Sequence, residues 1–225
     1  MKLQDARAVV TGGASGLGHA VARHLIASGA RVSILDVQQA QGEAAASALG
    51  DAAGFVRCDV TSEAEVTAAM ERSRERLGGL NLLVNCAGVI GAARVLGRSG
   101  PMSGEFFTKV VHINLIGTFL CDKAAAALMQ HNPPGEDGER GVLIHTSSVA
   151  AFGIRCVAIA PGIFRTPMAE ALPAEAQESL ARQIPFPARL GKPEEFAQLV
   201  ATVFELPMLN GTTIRLDGAV RMQPR

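Results

Sequence analysis

The sequence contains no tryptophan and no tyrosine, so no phenol group is present in the chain to act as an acid or a base. Cysteine is also sparse, and its four copies lie far apart with no Cys-x-x-Cys pair among them. This spacing argues against a disulfide framework or a zinc site, and it predicts buried thiols and no metal. The four are Cys58, Cys86, Cys121 and Cys156.

Neither sign of charge is in excess, because Lys plus Arg and Asp plus Glu each number 21. This balance gives no electrostatic reason to expect nucleic acid or an anionic membrane as a partner. No apolar run approaches membrane-spanning length, so we expect no membrane association. The N-terminus enters the first predicted strand almost at once and leaves no room for a targeting segment, so we expect a cytoplasmic protein.

The chain has 225 residues, of which 48% are hydrophobic, and it can bury one substantial core. The simplest organisation is a single domain over residues 1–225. Short apolar runs alternate with helix-like segments, which predicts an α/β fold with a Rossmann-like doubly wound parallel sheet. The predicted strands lie at residues 8–10, 32–36, 55–60, 80–84, 142–145, 154–159 and 212–216.

A glycine-rich turn follows the first apolar run, within residues 8–18. Gly12, Gly16 and Gly18 allow the backbone to bend sharply and to approach a ligand without a Cβ in the way. The helix that follows would present free N–H groups to an anion, such as the pyrophosphate of a dinucleotide. The spacing Gly-x-x-x-Gly-x-Gly is a weak signal by itself, because glycine-rich strand-to-helix turns also serve plain packing.

Asp36 ends the second apolar run, about twenty positions after the glycine turn. A carboxylate at this place in a dinucleotide-binding unit accepts hydrogen bonds from the ribose of an adenosine. It would also repel a 2′-phosphate, and Val37 rather than an arginine follows it. The pattern therefore favours NAD over NADP, and the alternative is an ordinary solvated residue at a strand end.

Other candidates follow the next strands, at the sheet edge where doubly wound proteins bind ligands. Asp59 and Val60 end the third predicted strand, where an adenine ring lies in such sheets. Four small residues follow the fourth strand and leave space for a ribose, although a tight turn that only packs would use the same residues. These four are Asn85, Cys86, Ala87 and Gly88.

Four residues further along are candidates for the reaction centre. Asn114 interrupts the apolar face of a helix predicted over residues 105–130, where a buried amide often satisfies only local backbone groups. Ser148 follows the fifth strand and would either polarise a substrate oxygen or cap a turn. Beyond the sixth strand, Thr166 is placed to hold a carboxamide and Phe164 to form a wall against the nicotinamide.

Taken in order, these motifs resemble those of the short-chain dehydrogenase/reductase family and cover nearly the whole chain. The tail, from Ile184 to Gly191 and from Arg215 to Pro224, is similar to one branch of that family, the type 2 3-hydroxyacyl-CoA dehydrogenases, also called 17β-hydroxysteroid dehydrogenases type 10. The residues that carry the family resemblance are Thr11-Gly12, Gly16, Gly18, Asp59-Val60, Asn85-Cys86-Ala87-Gly88, Asn114, Ser148, Pro161-Gly162 and Asp217-Gly218.

The resemblance implies an NAD-dependent oxidoreductase that moves a hydride between nicotinamide and a secondary alcohol or ketone, most specifically a 3-hydroxyacyl-CoA, with a hydroxysteroid as an alternative. It implies that Ser148 steadies the substrate oxygen and that Asn114 holds a proton-relay water. It also implies homo-tetramers, partly through the Asn114 helix, and allows a location in the mitochondrial matrix. Besides the glycines and the turn at 85–88, it assigns NAD binding to Ser15, Leu17, Asp36, Asp59, Val60, Cys86, Phe164 and Thr166.

The family's chemistry also uses a Tyr-x-x-x-Lys motif on the helix after the serine strand, and this chain has no tyrosine. The phenol exchanges a proton with the alcohol, and the lysine lowers the phenol pKa. Soon after Ser148 the sequence is already at Pro161-Gly162, so the crossover helix is missing between Phe152 and Gly153. We expect impaired activity, and the alternative is a non-catalytic NAD-binding or assembly protein.

The loss also creates a folding problem, because a parallel crossover takes about a dozen residues or more. Residues 149–153 span at most roughly 18 Å when fully extended, which leaves no length for a turn at each end. We therefore expect either that the sixth strand pairs differently or that the working protein has residues that this sequence omits.

Overall fold

The computed structural model describes residues 1–89, 95–97, 100–135, 138–144 and 154–220. Seven of the described strands form one sheet: β1 (Arg7–Thr11), β2 (Arg31–Asp36), β3 (Ala53–Arg57), β4 (Leu82–Asn85), β7 (Gly141–Ile144), β8 (Ile154–Pro161) and β9 (Thr212–Leu216). Their order in the sheet is β3-β2-β1-β4-β7-β8-β9, and all neighbours are parallel. The short strands β5 (Leu96–Gly97) and β6 (Gly100–Pro101) form a separate antiparallel pair.

Helices connect the strands and cover the sheet. They are α1 (Gly16–Ala27), α2 (Gln39–Leu49), α3 (Glu63–Leu77), α4 (Gly104–Val111), α5 (Thr118–Met129), α6 (Pro167–Glu170), α7 (Ala174–Arg182) and α8 (Pro193–Glu205). A 3₁₀ turn at Leu3–Asp5 precedes β1, and a π-helical turn at His112–Gly117 joins α4 to α5. The long helix predicted over residues 105–130 is therefore present, with the π-helical turn at its centre.

Two apolar clusters, one on each face of the sheet, form the core. Successive strand residues point to opposite faces, so Val10 and Ile34 pack in the cluster that contains α1 and α8. Val9 and Leu35 pack on the other face with α3 and α5. This arrangement confirms the predicted α/β fold, a single doubly wound parallel sheet.

The connection from β7 to β8 corrects one expectation. The two strands are parallel neighbours, with Gly141 opposite Ile154 and Ile144 opposite Val157. The sequence analysis counts only residues 149–153 as the connection, whereas β7 ends at Ile144, so nine residues, 145–153, separate the two strands. At about 3.3 Å per residue, nine residues can return along a strand as short as β7. The idea that the sixth predicted strand pairs elsewhere is therefore wrong.

A buried ion pair joins the starts of β7 and β8. Arg155 Nε lies 2.7 Å from Glu139 Oε2, and the two side chains are only 6% and 7% exposed. The same guanidinium donates hydrogen bonds to main-chain oxygens at the end of α8 and just beyond it, where the partial negative charge of the helix favours a cation. Arg155 thus links β8 both to the segment before β7 and to α8.

The helical stretch Gly104–Met129 corrects a second expectation. It has 26 residues, and an 18-residue window within it has a mean hydropathy of 1.2, so it is long and apolar enough to cross a membrane by length and composition. Asn114, Asp122 and Lys123 interrupt its apolar residues, so it does not stand out in the sequence as an unbroken apolar run. Core helices of soluble proteins meet the same criterion of length and composition.

The close contact between α1 and the glycine turn gives a first prediction. A Cβ on Gly18 would lie 2.3 Å from the Gly12 carbonyl oxygen, a main-chain atom that cannot move aside without disturbing β1. We expect Gly18→Ala to lower the free energy of unfolding by about 1–3 kcal/mol or more, measured by urea denaturation.

The matched control is Gly104→Ala at the start of α4, where a Cβ would have no neighbour within 4 Å. We expect its effect to stay within about 0.5 kcal/mol. Equal stabilities for the two variants would show that α1 does not approach the turn as closely as described.

Candidate functional site

The sheet order reverses between β1 and β4, because β1 continues to β2 on one side while the chain later returns to the other side. Such a reversal opens a crevice at the carboxyl ends of the strands, and ligands of doubly wound proteins bind there. The predicted cofactor residues of the first four strands lie at these carboxyl ends or directly after them.

The glycine turn lies on one side of this crevice and has no room for side chains. Gly12 has φ of 64°, and a Cβ there would lie 2.7 Å from the main-chain nitrogen of Ala87. Ser15 precedes α1, and its hydroxyl makes no capping hydrogen bond. The helix therefore begins with main-chain N–H groups that have no helical acceptor, an arrangement suited to an anion. Gly16 and Leu17 form the first turn of α1.

Asp36 lies beside the glycine turn, as the sequence predicts. Its Oδ2 accepts a 3.2 Å hydrogen bond from the N–H of Ala14, and its Oδ1 accepts one of 3.0 Å from the N–H of Gln38. The carboxylate is thereby held at the carboxyl end of β2, directly next to the start of α1. This is the position from which an acidic residue reaches a ribose in dinucleotide-binding folds.

Asp59 and Val60 lie in the turn after β3. Hydrogen bonds from the N–H and the hydroxyl of Thr61, at 2.9 and 2.7 Å, hold the pKa of Asp59 below its usual value. Val60 is buried and packs on the π-helical turn, where a Cβ on Gly117 would lie 2.7 Å from Val60 Cγ2. The turn after β3, where the adenine is predicted to lie, therefore contacts the π-helical turn that contains Asn114.

The turn at residues 85–88 is held by Thr11, the last residue of β1. The buried hydroxyl oxygen of Thr11 accepts hydrogen bonds from the N–H groups of Cys86 and Ala87, at 3.2 and 3.1 Å. Burial raises the pKa of the Cys86 thiol to about 12, so the thiol stays neutral and unreactive. The turn therefore contributes its backbone and its small size to the site.

Asn114 lies in the π-helical turn, and its side chain makes two hydrogen bonds with the main chain of Val89. Its Nδ2 donates to the carbonyl oxygen of Val89, and its Oδ1 accepts from the N–H of Val89, both at 2.9 Å. These bonds match the local backbone role that the sequence left open. π-Helical turns occur often at functional sites, and this one ties the Asn114 helix to the segment after Gly88.

Two of the predicted site residues follow β8, and they lie in different surroundings. Thr166 caps α6, and a Cβ on Gly16 would lie 3.8 Å from it, so Thr166 reaches the glycine turn. Phe164 does not form the expected wall with its ring. The ring is buried and packs edge-to-face on Phe196 of α8, with centroids 6.2 Å apart. Only the main chain of Phe164 remains to line a site.

Ser148 lies outside the described residues, as do Phe152 and Gly153, where the sequence analysis places the lost helix. Among the residues that the structure does describe, no group of His, Cys, Asp and Glu is arranged to hold a metal ion. All four cysteines are free thiols, and Cys58, Cys121 and Cys156 are buried as predicted.

Sequence reasoning missed two residues at this site. Thr11 was noted only as part of a motif, although a hydroxyl that ends an apolar strand is a signal of a side-chain to backbone bond. Asp122 of α5 was not noted at all, and its Oδ1 accepts a 2.8 Å hydrogen bond from Asn85 Nδ2. Its spacing of four and eight residues from Thr118 and Asn114 was the available signal, since such residues share one helix face.

The doubly wound sheet, the glycine turn at α1 and the carboxylate at the end of β2 together define a dinucleotide-binding α/β protein. The family model for the short chain dehydrogenases matches residues 6–153. The chain belongs to this family, whose members are oxidoreductases that use a nicotinamide dinucleotide.

Individual relatives agree with this assignment over the whole chain. The 3-hydroxyacyl-CoA dehydrogenase type-2 of Drosophila melanogaster is 42% identical over 99% of this chain and 100% of its own length. The human protein of the same name is 41% identical over 96% of this chain and 95% of its own. The crystal structure of the Mycobacterium avium 3-hydroxyacyl-CoA dehydrogenase type-2 superposes with a TM-score of 0.90 at 38% identity, covering 97% of this chain and 96% of that one.

The match with the fly enzyme also shows a difference in length. It spans 254 positions, whereas this chain has 225 residues, so at least 29 positions of the fly enzyme have no counterpart here. The family match ends at Gly153, the residue at which the sequence analysis places the loss.

Proposed function

We propose that this chain binds NAD at the carboxyl edge of its sheet and acts on 3-hydroxyacyl-CoA substrates, with turnover strongly reduced by the missing crossover helix. The observation that carries the proposal is the Asp36 carboxylate, 3.2 Å from the Ala14 amide in the glycine turn. The substrate class is supported by the name and the 42% identity of the fly relative.

The residues of the crevice fit an adenine dinucleotide. The glycine turn has no space for a Cβ at Gly12 or Gly18, so its backbone is free to approach a pyrophosphate. Asp36 would hold the adenosine ribose, and Asp59 with Val60 would line the adenine side. The turn at 85–88 would take the second ribose, with Ser15, Leu17, Thr166 and the main chain of Phe164 around the dinucleotide.

NAD, when bound, supplies the ring carbon that takes the hydride from the alcohol. Ser148, by its position after β7, would steady the substrate oxygen, and Asn114 would hold a water near it. The alcohol proton needs a base, and the chain has no tyrosine to provide one. General acid–base catalysis contributes about 10²- to 10⁴-fold, so we expect turnover to be lower by roughly this factor.

A second candidate function is NAD binding without catalysis, in a binding or assembly role. It is favoured by the combination of an intact nucleotide edge with the absence of at least 29 positions that the fly enzyme has. The two candidates share the nucleotide site and differ only in whether hydride moves.

An oxidation assay with 3-hydroxybutyryl-CoA and NAD⁺ separates the candidates, with NADH formation followed by absorbance over hours at high protein concentration. The first candidate predicts slow formation of NADH in proportion to the amount of protein. Binding of NADH with no formation above a heat-denatured control supports the second. Absence of both binding and turnover contradicts the proposal.

Asp36→Ala gives a direct test of the nucleotide placement. The variant loses charge-assisted hydrogen bonds of about 1.5–3 kcal/mol, so we expect NADH affinity to fall about 10- to 100-fold in calorimetric titrations. Asp51→Ala, at an exposed carboxylate in the turn after α2, is the control and should bind like the parent. Unchanged affinity in Asp36→Ala would show that the ribose lies elsewhere.

We also propose that copies of this chain associate through the helical stretch Gly104–Met129. Phe107, Leu115 and Phe119 are 58%, 58% and 61% exposed, and large exposed apolar patches mark association sites.

The crossover helix that family members add to such contacts is missing here, so we expect a weaker assembly than the family tetramer. Sedimentation of the parent and of Phe119→Glu tests this, with a smaller species expected for the variant.

A further inference from the structure

Asp122 is a carboxyl group that the proposed chemistry does not use. Asn85 Nδ2 donates a 2.8 Å hydrogen bond to its Oδ1, so the side chains meet where α5 crosses the end of β4. The other end of the same amide, Asn85 Oδ1, is buried and finds no donor within the part of the chain that the structure describes. A buried carbonyl oxygen without a hydrogen-bond donor is unfavourable. An ionised Asp122 has no proton to donate, so it would leave Asn85 Oδ1 in this state.

The surroundings of Asp122 disfavour a negative charge. Burial raises its pKa to about 7, against the opposing effect of the hydrogen bond from Asn85. β4 and β7, against which α5 packs, carry no ionisable side chain. The other titratable groups on or near α5, among the described residues, are the buried thiols of Cys121 and Cys58, the exposed Lys123–Glu63 ion pair to α3, and His112 in the π-helical turn.

We propose that Asp122 is protonated in the folded protein at neutral pH and forms a pair of hydrogen bonds with the amide of Asn85. Asn85 Nδ2 donates to one carboxyl oxygen, as observed. The carboxyl O–H donates to Asn85 Oδ1, which thereby gains the donor that it lacks. A neutral carboxylic acid is suited to this contact because it can donate and accept at once.

The pair lies at the start of the turn at residues 85–88. Asn85 begins this turn, and Thr11 holds its next two N–H groups, so a fixed Asn85 side chain helps to fix the floor of the crevice. Asp122 is thus a positioning residue for the nucleotide site. Its ionisation removes one hydrogen bond and adds a negative charge near the place proposed for an anionic dinucleotide, so affinity falls as the pH rises.

The effect on stability has a definite sign. The pKa of Asp122 is raised in the folded state, so the folded protein holds this proton more tightly than the unfolded chain. The stabilising contribution is complete below about pH 4, the pKa of an unfolded aspartate. It is lost as the pH rises towards the folded pKa near 7, so parent stability should fall over this range.

Asp122→Asn tests the pair, because an asparagine offers an N–H donor to Asn85 Oδ1 at every pH and keeps the shape of the side chain. Relative to this variant, the parent should lose thermal stability between pH 5 and pH 8, values on either side of the folded pKa near 7. Asp51→Asn, at an exposed carboxyl, should show no such pH-dependent difference. A ¹³C NMR titration of the Asp122 carboxyl should show its midpoint near neutral pH. The proposed pair is wrong if the Asp122 carboxyl titrates with a midpoint below pH 5. It is also wrong if the stability difference between the parent and Asp122→Asn does not change with pH.

The consequence for affinity rests on the proposed NAD binding and has its own readout. NADH affinity of the parent should fall roughly tenfold from pH 6 to pH 8 as the carboxyl ionises, whereas Asp122→Asn should keep the parent's pH 6 affinity at both values. The same pH slope in both proteins refutes the positioning role. If neither protein binds NADH, the proposed function fails, and the NMR and melting results still decide whether the pair exists.

Discussion

Insertion of a helix that carries Tyr-x-x-x-Lys between Phe152 and Gly153 is expected to raise the oxidation rate of 3-hydroxybutyryl-CoA by about 10²- to 10⁴-fold. The physical reason is that the parent has no phenol to take the alcohol proton, since it contains no tyrosine. The added residues should come from the segment of the Drosophila relative that has no counterpart here, because that enzyme aligns along its whole length.

The matched control is the same insertion with its tyrosine replaced by phenylalanine. The two inserted proteins should fold alike and bind NADH alike, because they differ by one hydroxyl group. Only the tyrosine form should gain activity. Equal rates in both forms, or no gain in a tyrosine form that binds NADH, would place the defect outside the crossover.

Arg155→Met is expected to lower the free energy of unfolding by about 3–5 kcal/mol, the usual cost of removing one partner of a buried ion pair. The variant leaves Glu139 buried without its guanidinium and removes donors from main-chain oxygens near the end of α8. At about 2–4 °C per kcal/mol for a chain of this size, the midpoint of thermal unfolding should fall by roughly 10 °C.

The comparison variant is Arg23→Met, which breaks the exposed pair of Arg23 with Glu194. Exposed pairs contribute at most about 1 kcal/mol, so its melting point should stay close to that of the parent. If Arg155→Met and Arg23→Met unfold at the same temperature, the contacts of Arg155 with Glu139 and α8 do not stabilise this edge of the sheet.

The Glu139 site also predicts a response to acid. Although burial by itself raises the pKa of Glu139, hydrogen bonds from the terminal ammonium of Met1 and from Arg155 hold it below its usual value. A depressed folded pKa means that this stabilisation is present above about pH 4.3 and is lost as the pH falls further. Glu139→Gln should therefore show a smaller loss of stability than the parent between pH 5 and pH 3, with pH 4.3 within this range.

The sheet and its candidate nucleotide edge could be predicted from sequence because their signals are local. A buried strand reads as an apolar run, and the glycines that follow β1 mark the turn before α1. Asp36 was correctly placed beside that turn because the carboxyl ends of adjacent parallel strands meet at one edge. Predicting the position of Asp36 requires only that β1 and β2 be recognised as neighbouring strands.

The features that were missed or misjudged depend on contacts between distant segments. The ring of Phe164 turns into the core because Phe196, on α8, packs against it, and the sequence does not show this pairing. Arg155 in β8 pairs with Glu139, which precedes β7, and the two residues are brought together only when these strands lie side by side. The length of that connection was underestimated because the polar residues after Ile144 do not show where β7 stops pairing with its neighbours.

The most direct test of the central claim is a calorimetric titration of the unmodified chain with NADH and, separately, with NADPH. The account predicts one NADH per chain and an affinity for NADPH at least about tenfold lower, because the Asp36 carboxylate repels a 2′-phosphate. Absence of NADH binding, or equal affinity for the two nucleotides, would contradict a dinucleotide site built around Asp36 and the glycine turn.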